Sequence, residues 1–330
     1  MSGRLPAVAR TVVDVRGGVA RARAGGRSIG LVPTMGALHE GHLSLIRRAR
    51  AQCDYVVVSI FVNPTQFSPG EDLEAYPRDE ERDLALAGEA GAHLAFLPPA
   101  PEIYPPGHAT TVTVAGLTER LCGATRGPEH FSGVATVVIK LLNIVAPDVA
   151  YFGQKDFQQT VVIRRMVADL NLPVRIEVCP TVREPDGLAL SSRNAYLTDG
   201  ERPRARALHE ALRAAEGAIA DGERSPVRVL AAGRAAMAER GVEPEYLELV
   251  DPDTLAPLDQ VGGPALVAVA ARVGRARLID NALIEVPYQS APNPDLAAGA
   301  SPAQSDLVSI PSIPPGPGRT NAGAKQPCSA

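Results

Sequence analysis

The stretch LVPTMGALHEGHLSLI, residues 31–46, combines the end of an apolar strand, a turn and the start of a helix. We expect Pro33 to end the strand, and the apolar residues after the second histidine recur at helical spacing. His39 and His42 would therefore lie three residues apart on one face of the first helical turn. Gly41 between them lacks a side chain, so a phosphate group could approach the unpaired backbone N–H groups of that turn. The stretch predicts a polyphosphate site at the carboxyl end of a strand.

Taken alone, the pair of histidines admits two other interpretations. Two surface histidines can lie near a helix cap without binding any ligand. A zinc site is the second alternative, although zinc-binding histidines on a helix favour a spacing of four residues and the chain has no HExxH sequence. The later segments of the chain favour the phosphate interpretation.

Composition limits the class of protein. The 330 residues are enough for two domains, and a hydrophobic content of 45% can form real cores. The net charge of −4 gives no basic footprint for nucleic acid. The four cysteines are scattered without a CxxC pair, and the sequence has neither a signal-like N-terminus nor a run of about 18 apolar residues. We therefore predict a cytoplasmic protein that binds neither nucleic acid nor a membrane.

A second strand, YVVVSIF at residues 55–61, follows the predicted helix. At this spacing the two strands should be parallel and joined by a right-handed crossover. Asn63 and Gln66 come directly after this strand, where open α/β sheets bind their ligands, although Asn63-Pro64 could also simply begin a turn. Further strands are predicted over 93–99, 110–114, 148–152 and 174–178, and helices over 11–24, 77–92 and 134–145.

The strand at 148–152 runs through Gly153 into a helix that opens with polar residues, which repeats the design of the first unit. Lys155 and Gln159 would lie one turn apart on the same face of this helix, with Asp156 beside the lysine. A lysine at a helix N-terminus is disfavoured by the helix dipole unless an anion binds there. The alternative is an ordinary solvated charge at a helix start.

The character of the chain changes after residue 180. Residues 181–197 are polar and rich in turn formers, and Ser191, Ser192 and Arg193 together can bind phosphate, although a plain surface loop is the alternative. A compact α+β unit follows, with helices predicted over 201–221 and 226–240 and strands over 246–250, 265–273 and 276–286. Residues 287–330 contain nine prolines, and we predict a disordered tail there.

The sequence has neither a GxxxxGK[ST] loop nor a GxGxxG fingerprint. Phosphate would have to be held by helix N-termini, the two histidines, the lysine and the Ser-Ser-Arg segment. Such groups can stabilise the charge that develops when pyrophosphate is displaced from an α-phosphorus. None of them is an obvious nucleophile, so we expect the substrate itself to attack.

Five motifs occur in order along the chain: PTMGALHEGHLSLI, FVNPTQF, YPRDEERDL, FGQKDFQQ and REPDGLALSSRN. The first resembles the HxGH signature of the nucleotidyltransferase superfamily. The ordered set resembles the pantoate–β-alanine ligase family, the pantothenate synthetases, over roughly residues 5–286. Any one motif would be weak, but their joint occurrence is highly specific.

The resemblance implies a fold and an activity. The expected fold is α/β, with a Rossmann-like parallel-sheet domain over 1–181 that binds ATP and pantoate, a smaller α+β lid domain over 182–286, and a homodimer formed through the first domain. The expected reaction is a condensation of pantoate with β-alanine driven by ATP and Mg²⁺. Pantoate would attack the α-phosphate to give pantoyl-adenylate and pyrophosphate, and β-alanine would then displace AMP to give pantothenate.

The resemblance also implies roles for individual residues. Those expected to carry the chemistry are His39, His42, Lys155, Ser191, Ser192 and Arg193. Those expected to contact the nucleotide are Pro33, Thr34, Met35, His42, Gly153, Lys155, Asp156, Leu190, Ser191, Ser192 and Arg193. Asn63, Gln66 and Gln159 are expected to bind pantoate, and Asp83 is expected in the neighbourhood of magnesium.

The chain departs from the family pattern in two places. The family's Arg-Pro-x-His-Phe run is one residue longer here, within a predicted Gly-rich loop at 121–133, so Arg126 and His130 are not carried over. Leu190 replaces the methionine usual before the Ser-Ser-Arg run, a volume-conserving change that should cost little. The alternatives to the ligase are another nucleotidyltransferase of the HxGH superfamily, which would leave the nucleotide in its product, and a nucleotide-binding sensor without activity.

Overall fold

Two sheets organise the part of the chain that the structure describes. The structure is a computed structural model and describes residues 5–67 and 73–286, so the tail predicted over 287–330 lies outside it. One sheet has six strands, all parallel, and the other has three antiparallel strands. This confirms the predicted α/β class, whereas the domain boundary after residue 181 and the role of a lid stay predictions.

The elements of the parallel sheet and its helices come first along the chain. They are β1 (Ala7–Ala9), α1 (Val12–Ala24), β2 (Ile29–Thr34), α2 (Glu40–Gln52), β3 (Tyr55–Ile60), α3 (Glu80–Ala90), β4 (Leu94–Phe96), α4 (Ala100–Ile103), α5 (Cys122–Arg126), α6 (Pro128–Val145), β5 (Val149–Gly153), α7 (Phe157–Asp169) and β6 (Arg175–Cys179). The later elements are α8 (Arg202–Ala205), α9 (Ala207–Ala220), α10 (Pro226–Glu239), β7 (Pro244–Val250), β8 (Ala265–Val273) and β9 (Ala276–Ile284). Short 3₁₀ helices span Pro64–Gln66, Gln154–Asp156 and Ser192–Tyr196.

The strand order creates a crevice at the centre of the parallel sheet. The order is β1-β4-β3-β2-β5-β6. After β2 the chain adds β3 and β4 on one side of the sheet, and after β5 it adds β6 on the other side. The connections that leave β2 and β5 therefore turn to opposite sides, and ligands of open α/β sheets bind at such a switch point. The histidine motif follows β2 and Lys155 follows β5, so both segments begin at this crevice.

Helices cover both faces of the parallel sheet. On one face α6 is buried along almost its whole length and packs with α1 and α7 in one apolar cluster. On the other face α2 and α3 form a second cluster around Ile46 and Val58. Apolar side chains on both faces explain why β3 reads as a continuous apolar run rather than an alternating one. Among the helices of the described residues, none is both long and apolar enough to cross a membrane.

The three-stranded sheet is also covered on two sides. Helices α9 and α10 pack on one face, with Leu208, Leu212 and Val267 in the shared cluster. Leu266 and Ala268 point to the opposite face and pack against Leu121, Phe157 and Val161 of the earlier part of the chain. The second contact packs β8 against α7.

We expected Pro33 to end the strand before the histidine motif. Instead, Pro33 lies inside that strand, β2, opposite Ser59. Strand β2 pairs with β5 only at Gly30 and Leu31, so at Pro33 it has a neighbour on one side only. The ladder on the other side continues through Thr34, whose carbonyl accepts the N–H of Phe61 at 3.1 Å. The missing N–H of proline is therefore tolerated.

Two other segments differ from prediction. Residues 110–114 form no strand, and the N–H of Val112 donates instead to the hydroxyl of Thr136 at 2.9 Å. The predicted loop at 121–133 is helical, because α5 occupies its first half and α6 begins at Pro128. Proline in the first turn of a helix has no N–H that needs an intrahelical partner, so its ring favours this start.

We expect Gly133→Ala to destabilise the protein by about 1–3 kcal/mol, the usual range for overpacking. Gly133 lies in α6, and a Cβ there would approach the carbonyl oxygen of Thr65 to 2.3 Å and the N of Gln66 to 2.8 Å. Backbone atoms cannot move aside as a flexible side chain can. Urea unfolding, monitored by circular dichroism, measures the change in the free energy of unfolding.

Gly217→Ala is the matched control, because Gly217 lies exposed in α9 and no heavy atom outside the adjoining helix backbone comes within 4 Å of the position that a Cβ would take there. It should stabilise the protein by about 0.5–1 kcal/mol through the helix preference of alanine. Equal behaviour of the two variants would show that the contact of α6 with residues 64–66 is loose.

Candidate functional site

Two adjoining cavities lie at the carboxyl ends of β2, β3 and β5. Their volumes are about 230 Å³ and about 360 Å³. The smaller cavity is lined by every residue predicted for the site except Asp83: Pro33, Thr34, Met35, His39, His42, Asn63, Gln66, Gly153, Lys155, Asp156, Gln159, Leu190, Ser191, Ser192 and Arg193. Residues that line both cavities are Arg126, His130, Lys155, Asp156, Gln159, Ser191 and Arg193. The structure therefore brings segments far apart in sequence around one space.

The two histidines cap the first turn of α2. His39 is the N-cap residue, and its Nδ1 accepts the N–H of Gly41 at 3.2 Å. The Nδ1 of His42 accepts the N–H of His39 at 3.4 Å, which gives a reciprocal capping box made of imidazoles. The ring centroids lie 4.1 Å apart. Capping thus fixes both rings side by side at the positive end of a helix dipole.

Both histidines are neutral in this arrangement. A ring nitrogen that accepts a backbone N–H carries no proton, so each proton is on Nε2. Burial, followed by the nearby Lys155 cation, lowers the pKa of His39 to about 4. Burial, then His39 and Lys155, lowers the pKa of His42 well below its ordinary value. The pair therefore offers two neutral N–H donors rather than two cations.

Lys155 supplies a cation between the cavities. It lies in the 3₁₀ helix Gln154–Asp156, and α7 begins only at Phe157. The prediction that Lys155 and Gln159 lie one turn apart on the same α-helix is therefore wrong. The lysine side chain is 19% exposed, and its Nζ lies 3.5 Å from an oxygen of Asp156. That distance is long for a hydrogen bond, so this cation remains available to an anion.

The amide of Gln66 is oriented by its neighbours. Asn63 is buried and donates its two amide protons to the Gln66 side-chain oxygen and to the Gly133 carbonyl, each at 3.1 Å. The Gln66 Nε2 consequently faces the sulfur of Met35 at 3.1 Å and the cavity. Asn63 itself is saturated, because its oxygen also accepts the hydroxyl of Tyr104 at 2.8 Å. Asn63 therefore positions Gln66 rather than presenting a free amide.

Gln159 faces the same cavities from α7 and is half-buried. Its side-chain amide makes no hydrogen bond to any residue that the structure describes, so the amide can serve a ligand. Gln66 and Gln159 together place two neutral amides in the wall of the cavity that His39 and His42 also line.

The Ser-Ser-Arg segment also lines the smaller cavity. Residues 182–190 form a hairpin in which Leu190 donates its N–H to the Val182 carbonyl at 3.0 Å. Ser191 then caps the 3₁₀ helix Ser192–Tyr196 by accepting the N–H of Arg193 at 3.2 Å. The hydroxyl of Ser192 lies 3.2 Å from that of Tyr76. The segment is an ordered turn.

Asp83 lies outside the cavity walls and is almost fully buried. Its two oxygens accept the N–H groups of Ala37 and Leu38 at 2.8 and 2.7 Å. Burial raises the pKa of this carboxyl group, opposed by these hydrogen bonds. Within the described residues no group of three His, Cys, Asp or Glu side chains could hold a metal. The magnesium role of Asp83 stays a prediction, and its contacts describe an anchor for the loop before α2.

Sequence reasoning left several cavity residues without a role. Arg126 and His130 line both cavities, and His130 lies 2.8 Å from the Gln66 carbonyl through Nδ1 and 3.0 Å from Arg126 through Nε2. Their joint presence in one short segment was a usable signal. The larger cavity also has the arginines of the β8–β9 hairpin, Arg272, Arg275 and Arg277. Only the density of arginine over 272–277 hints at them in the sequence.

We expect the folded chain to resist protonation of His39. The unfolded chain binds a proton near pH 6.5 that the folded chain takes up only near pH 4. This contribution to stability is present above about pH 6.5 and is lost as the pH falls toward 4. His39→Asn keeps an N-cap side chain but removes the titration, so its loss of stability between about pH 7 and about pH 5 should be smaller than in the wild type.

Urea unfolding at the two pH values measures the difference. His108→Asn, which removes an exposed histidine, controls for the loss of an imidazole as such. The same pH dependence in His39→Asn and wild type would contradict the neutral, buried state of His39.

Known proteins with a similar sequence and fold share one description. The family model described as pantoate-beta-alanine ligase matches residues 7–283. The pantothenate synthetase of Moorella thermoacetica is 57% identical over 281 residues, 84% of this chain and 98% of the relative. A crystal structure of pantothenate synthetase from Thermus thermophilus has 48% identity and a TM-score of 0.80, with 84% of this chain and 98% of that chain covered.

A pantoate-beta-alanine ligase from Francisella tularensis, solved in complex with beta-gamma ATP and beta-alanine, has 34% identity and a TM-score of 0.71. The superposition covers 84% of this chain and 97% of that one. The match of the family model to most of the chain, and the identity of relatives covered almost completely, lead to one conclusion. The chain belongs to the pantoate-beta-alanine ligase family.

Proposed function

We propose that the chain joins pantoate to β-alanine in two steps, through an enzyme-bound pantoyl-adenylate, with release of pyrophosphate and AMP. One observation carries the proposal: neutral histidine donors, a lysine and the Ser-Ser-Arg turn surround one cavity together with two amides. The first group suits a triphosphate and the amides suit a hydroxy acid. The Francisella tularensis relative was solved with an ATP species and with beta-alanine, which supports both substrates.

In the first step the pantoate carboxylate attacks the α-phosphorus of ATP, and the bond from that phosphorus to the β-phosphate oxygen breaks. His39 and His42 donate hydrogen bonds from their Nε2–H groups to phosphate oxygens on which negative charge develops. Lys155 neutralises charge from the segment after β5, and Arg193 does so from the Ser-Ser-Arg turn. Pyrophosphate leaves with the bonding electron pair, and no protein nucleophile is required.

Pantoate lies between Gln66 and Gln159 in this proposal. The Gln66 amide, held by Asn63, donates a hydrogen bond to a pantoate oxygen, and the Gln159 amide can donate or accept one. Neutral amides hold the carboxylate without lowering its nucleophilicity as a cation would. Met35 packs against the apolar part of pantoate.

The nucleotide lies above the triphosphate-binding groups. Pro33, Thr34 and Gly153 present backbone at the ends of β2 and β5, and Leu190 offers an apolar surface for the base. The Thr34 hydroxyl already donates to the Ser59 carbonyl at 2.7 Å, so we assign Thr34 a backbone role. Asp156 is the carboxylate best situated for a ribose hydroxyl.

In the second step the amine of β-alanine attacks the acyl carbon of the adenylate, and AMP leaves with the electrons of the acyl–oxygen bond. The larger cavity adjoins the reacting position through Lys155 and Gln159. Its arginine-rich wall attracts the β-alanine carboxylate, which supports entry of the second substrate from this side.

Magnesium is proposed to arrive with ATP. Mg²⁺ is commonly held by substrate phosphates, water and one or two carboxylates rather than by a protein cage. Among the described residues that line the smaller cavity, Asp156 is the one carboxylate, and this scheme already uses it for the ribose, so phosphate oxygens and water would hold most of the ion. The ion would neutralise phosphate charge. The homodimer, the lid function of residues 182–286 and the cytoplasmic location are also proposals, and they rest on the family resemblance.

Pyrophosphate release tests the two-step reaction directly. With ATP, Mg²⁺ and pantoate alone, we expect a rapid burst of about one pyrophosphate per site, because the adenylate remains bound. Addition of β-alanine should convert the burst to steady turnover with one AMP per pantothenate. Release that does not depend on pantoate would instead favour a nucleotidyltransferase that uses another acceptor.

We expect His42→Ala and Lys155→Ala each to slow the pantoate-dependent burst on the order of 10²-fold, the scale of one lost electrostatic stabiliser. Arg164→Ala is the control, because it removes an exposed cation from α7 without reaching either cavity. Rapid-quench measurement gives the burst rate per folded site. Unchanged rates in both variants would remove the assigned roles while leaving the overall reaction open.

A further inference from the structure

Two consecutive residues of β9, Asp280 and Asn281, connect the two phosphate-binding segments that come from different parts of the chain. Both are buried at 4% exposure. Successive side chains of a strand point to opposite faces of the sheet, so the pair can reach two different partners. Each partner is a segment that carries a residue of the candidate site.

Asn281 holds the segment with Lys155. Its Nδ2 donates to the backbone carbonyls of Gln154 and Lys155, both at 2.9 Å. Its Oδ1 lies 3.4 Å from the Gln154 side-chain amide. Both N–H donors of the Asn281 side chain bind backbone carbonyls of the 3₁₀ helix, so this contact fixes the backbone position of Lys155.

Asp280 holds the segment with Arg193. Its two oxygens accept both terminal nitrogens of Arg183, at 2.6 and 3.0 Å. Arg183 also donates to the Gly187 carbonyl at 3.1 Å and is bridged to Ala189, so it sits inside the hairpin that leads into the Ser-Ser-Arg turn. A bidentate pair has one geometry, which transmits the position of β9 to that turn.

We infer that Asp280 and Asn281 are positioning residues that set the distance between the Lys155 cation and the Ser191–Arg193 turn. Neither touches the reacting atoms in this scheme; each acts through its own segment. The inference rests on the proposed function, in which both segments bind one triphosphate. A misplacement of a charge by about 1 Å can slow a reaction roughly 100-fold, so a shared strand that holds both segments has a direct kinetic effect.

A purely structural role would give a different pattern of coupling. Loss of folded enzyme multiplies any rate by the same factor, whichever site residue is also removed. A positioning residue has an effect only while the residue that it positions is present. Double-mutant cycles therefore separate the two roles.

The test uses the full chain with Asn281→Ala and Asp280→Asn, each alone and combined with Lys155→Ala or Arg193→Ala. We expect each single β9 variant to slow the pantoate-dependent burst roughly 10- to 100-fold per folded site. Asn281→Ala should add little further loss to Lys155→Ala but its full loss to Arg193→Ala. Asp280→Asn should show the opposite preference.

Leu283→Ala is the matched control, because Leu283 lies exposed on the same strand two residues from Asn281. It should leave the burst unchanged. The affinity for α,β-methylene-ATP, measured by calorimetry on the same variants, provides a second readout that needs no pantoate.

The outcomes separate the two claims. If the wild type releases no pyrophosphate with pantoate, the proposed function fails, and the analogue affinities still test the positioning. If the losses of Asn281→Ala and Asp280→Asn multiply equally with Lys155→Ala and Arg193→Ala, or if neither variant loses rate or affinity, the positioning inference is overturned.

Discussion

The site depends on a buried carboxylate that does not line it. Asp83 accepts the N–H groups of Ala37 and Leu38, which would otherwise be unpaired in a buried loop. An unsatisfied buried donor costs about 1–3 kcal/mol, so this loop has little freedom to choose another path. Gly36 has a φ of 85°, and a Cβ there would approach the Asp83 carboxylate to 3.0 Å. The loop geometry sets where α2 begins, and that start determines where His39 points.

Because His39 and His42 are neutral, they can lie close to each other and to Lys155 without charge repulsion. Two imidazolium rings 4.1 Å apart, next to Lys155, would repel one another in a partly desolvated space. As neutral donors they add hydrogen bonds without adding charge, and the cations come from Lys155 and the arginines on other segments. Positive charge is thereby spread around the cavity wall, which suits a ligand with charge along its length.

Local sequence patterns predicted residues that line the smaller cavity better than they predicted the residues that hold them in place. His39, His42 and Lys155 lie at helix starts that follow apolar strands. The helix dipole and the bare backbone at Gly41 can both be inferred from a few neighbouring residues, and both favour an anion site. Arg126 and His130 were left without a role because their run is one residue longer than the family's, and the structure shows this segment as α5 followed by α6 rather than a loop. The contacts of Asp280 and Asn281 could not be predicted from the sequence, because their partners lie about 100 or more residues earlier and no periodicity encodes such contacts.

The shared wall of the two cavities has a consequence for ligand design. Lys155, Gln159 and Ser191 face both spaces, so a single molecule could occupy both without crossing a protein barrier. The volumes, about 230 and 360 Å³, each lie near or below the lower end of the range for drug-sized ligands. A bisubstrate compound with an anionic group at each end would gain affinity from both halves, because the second half binds at a high effective concentration once the first is held.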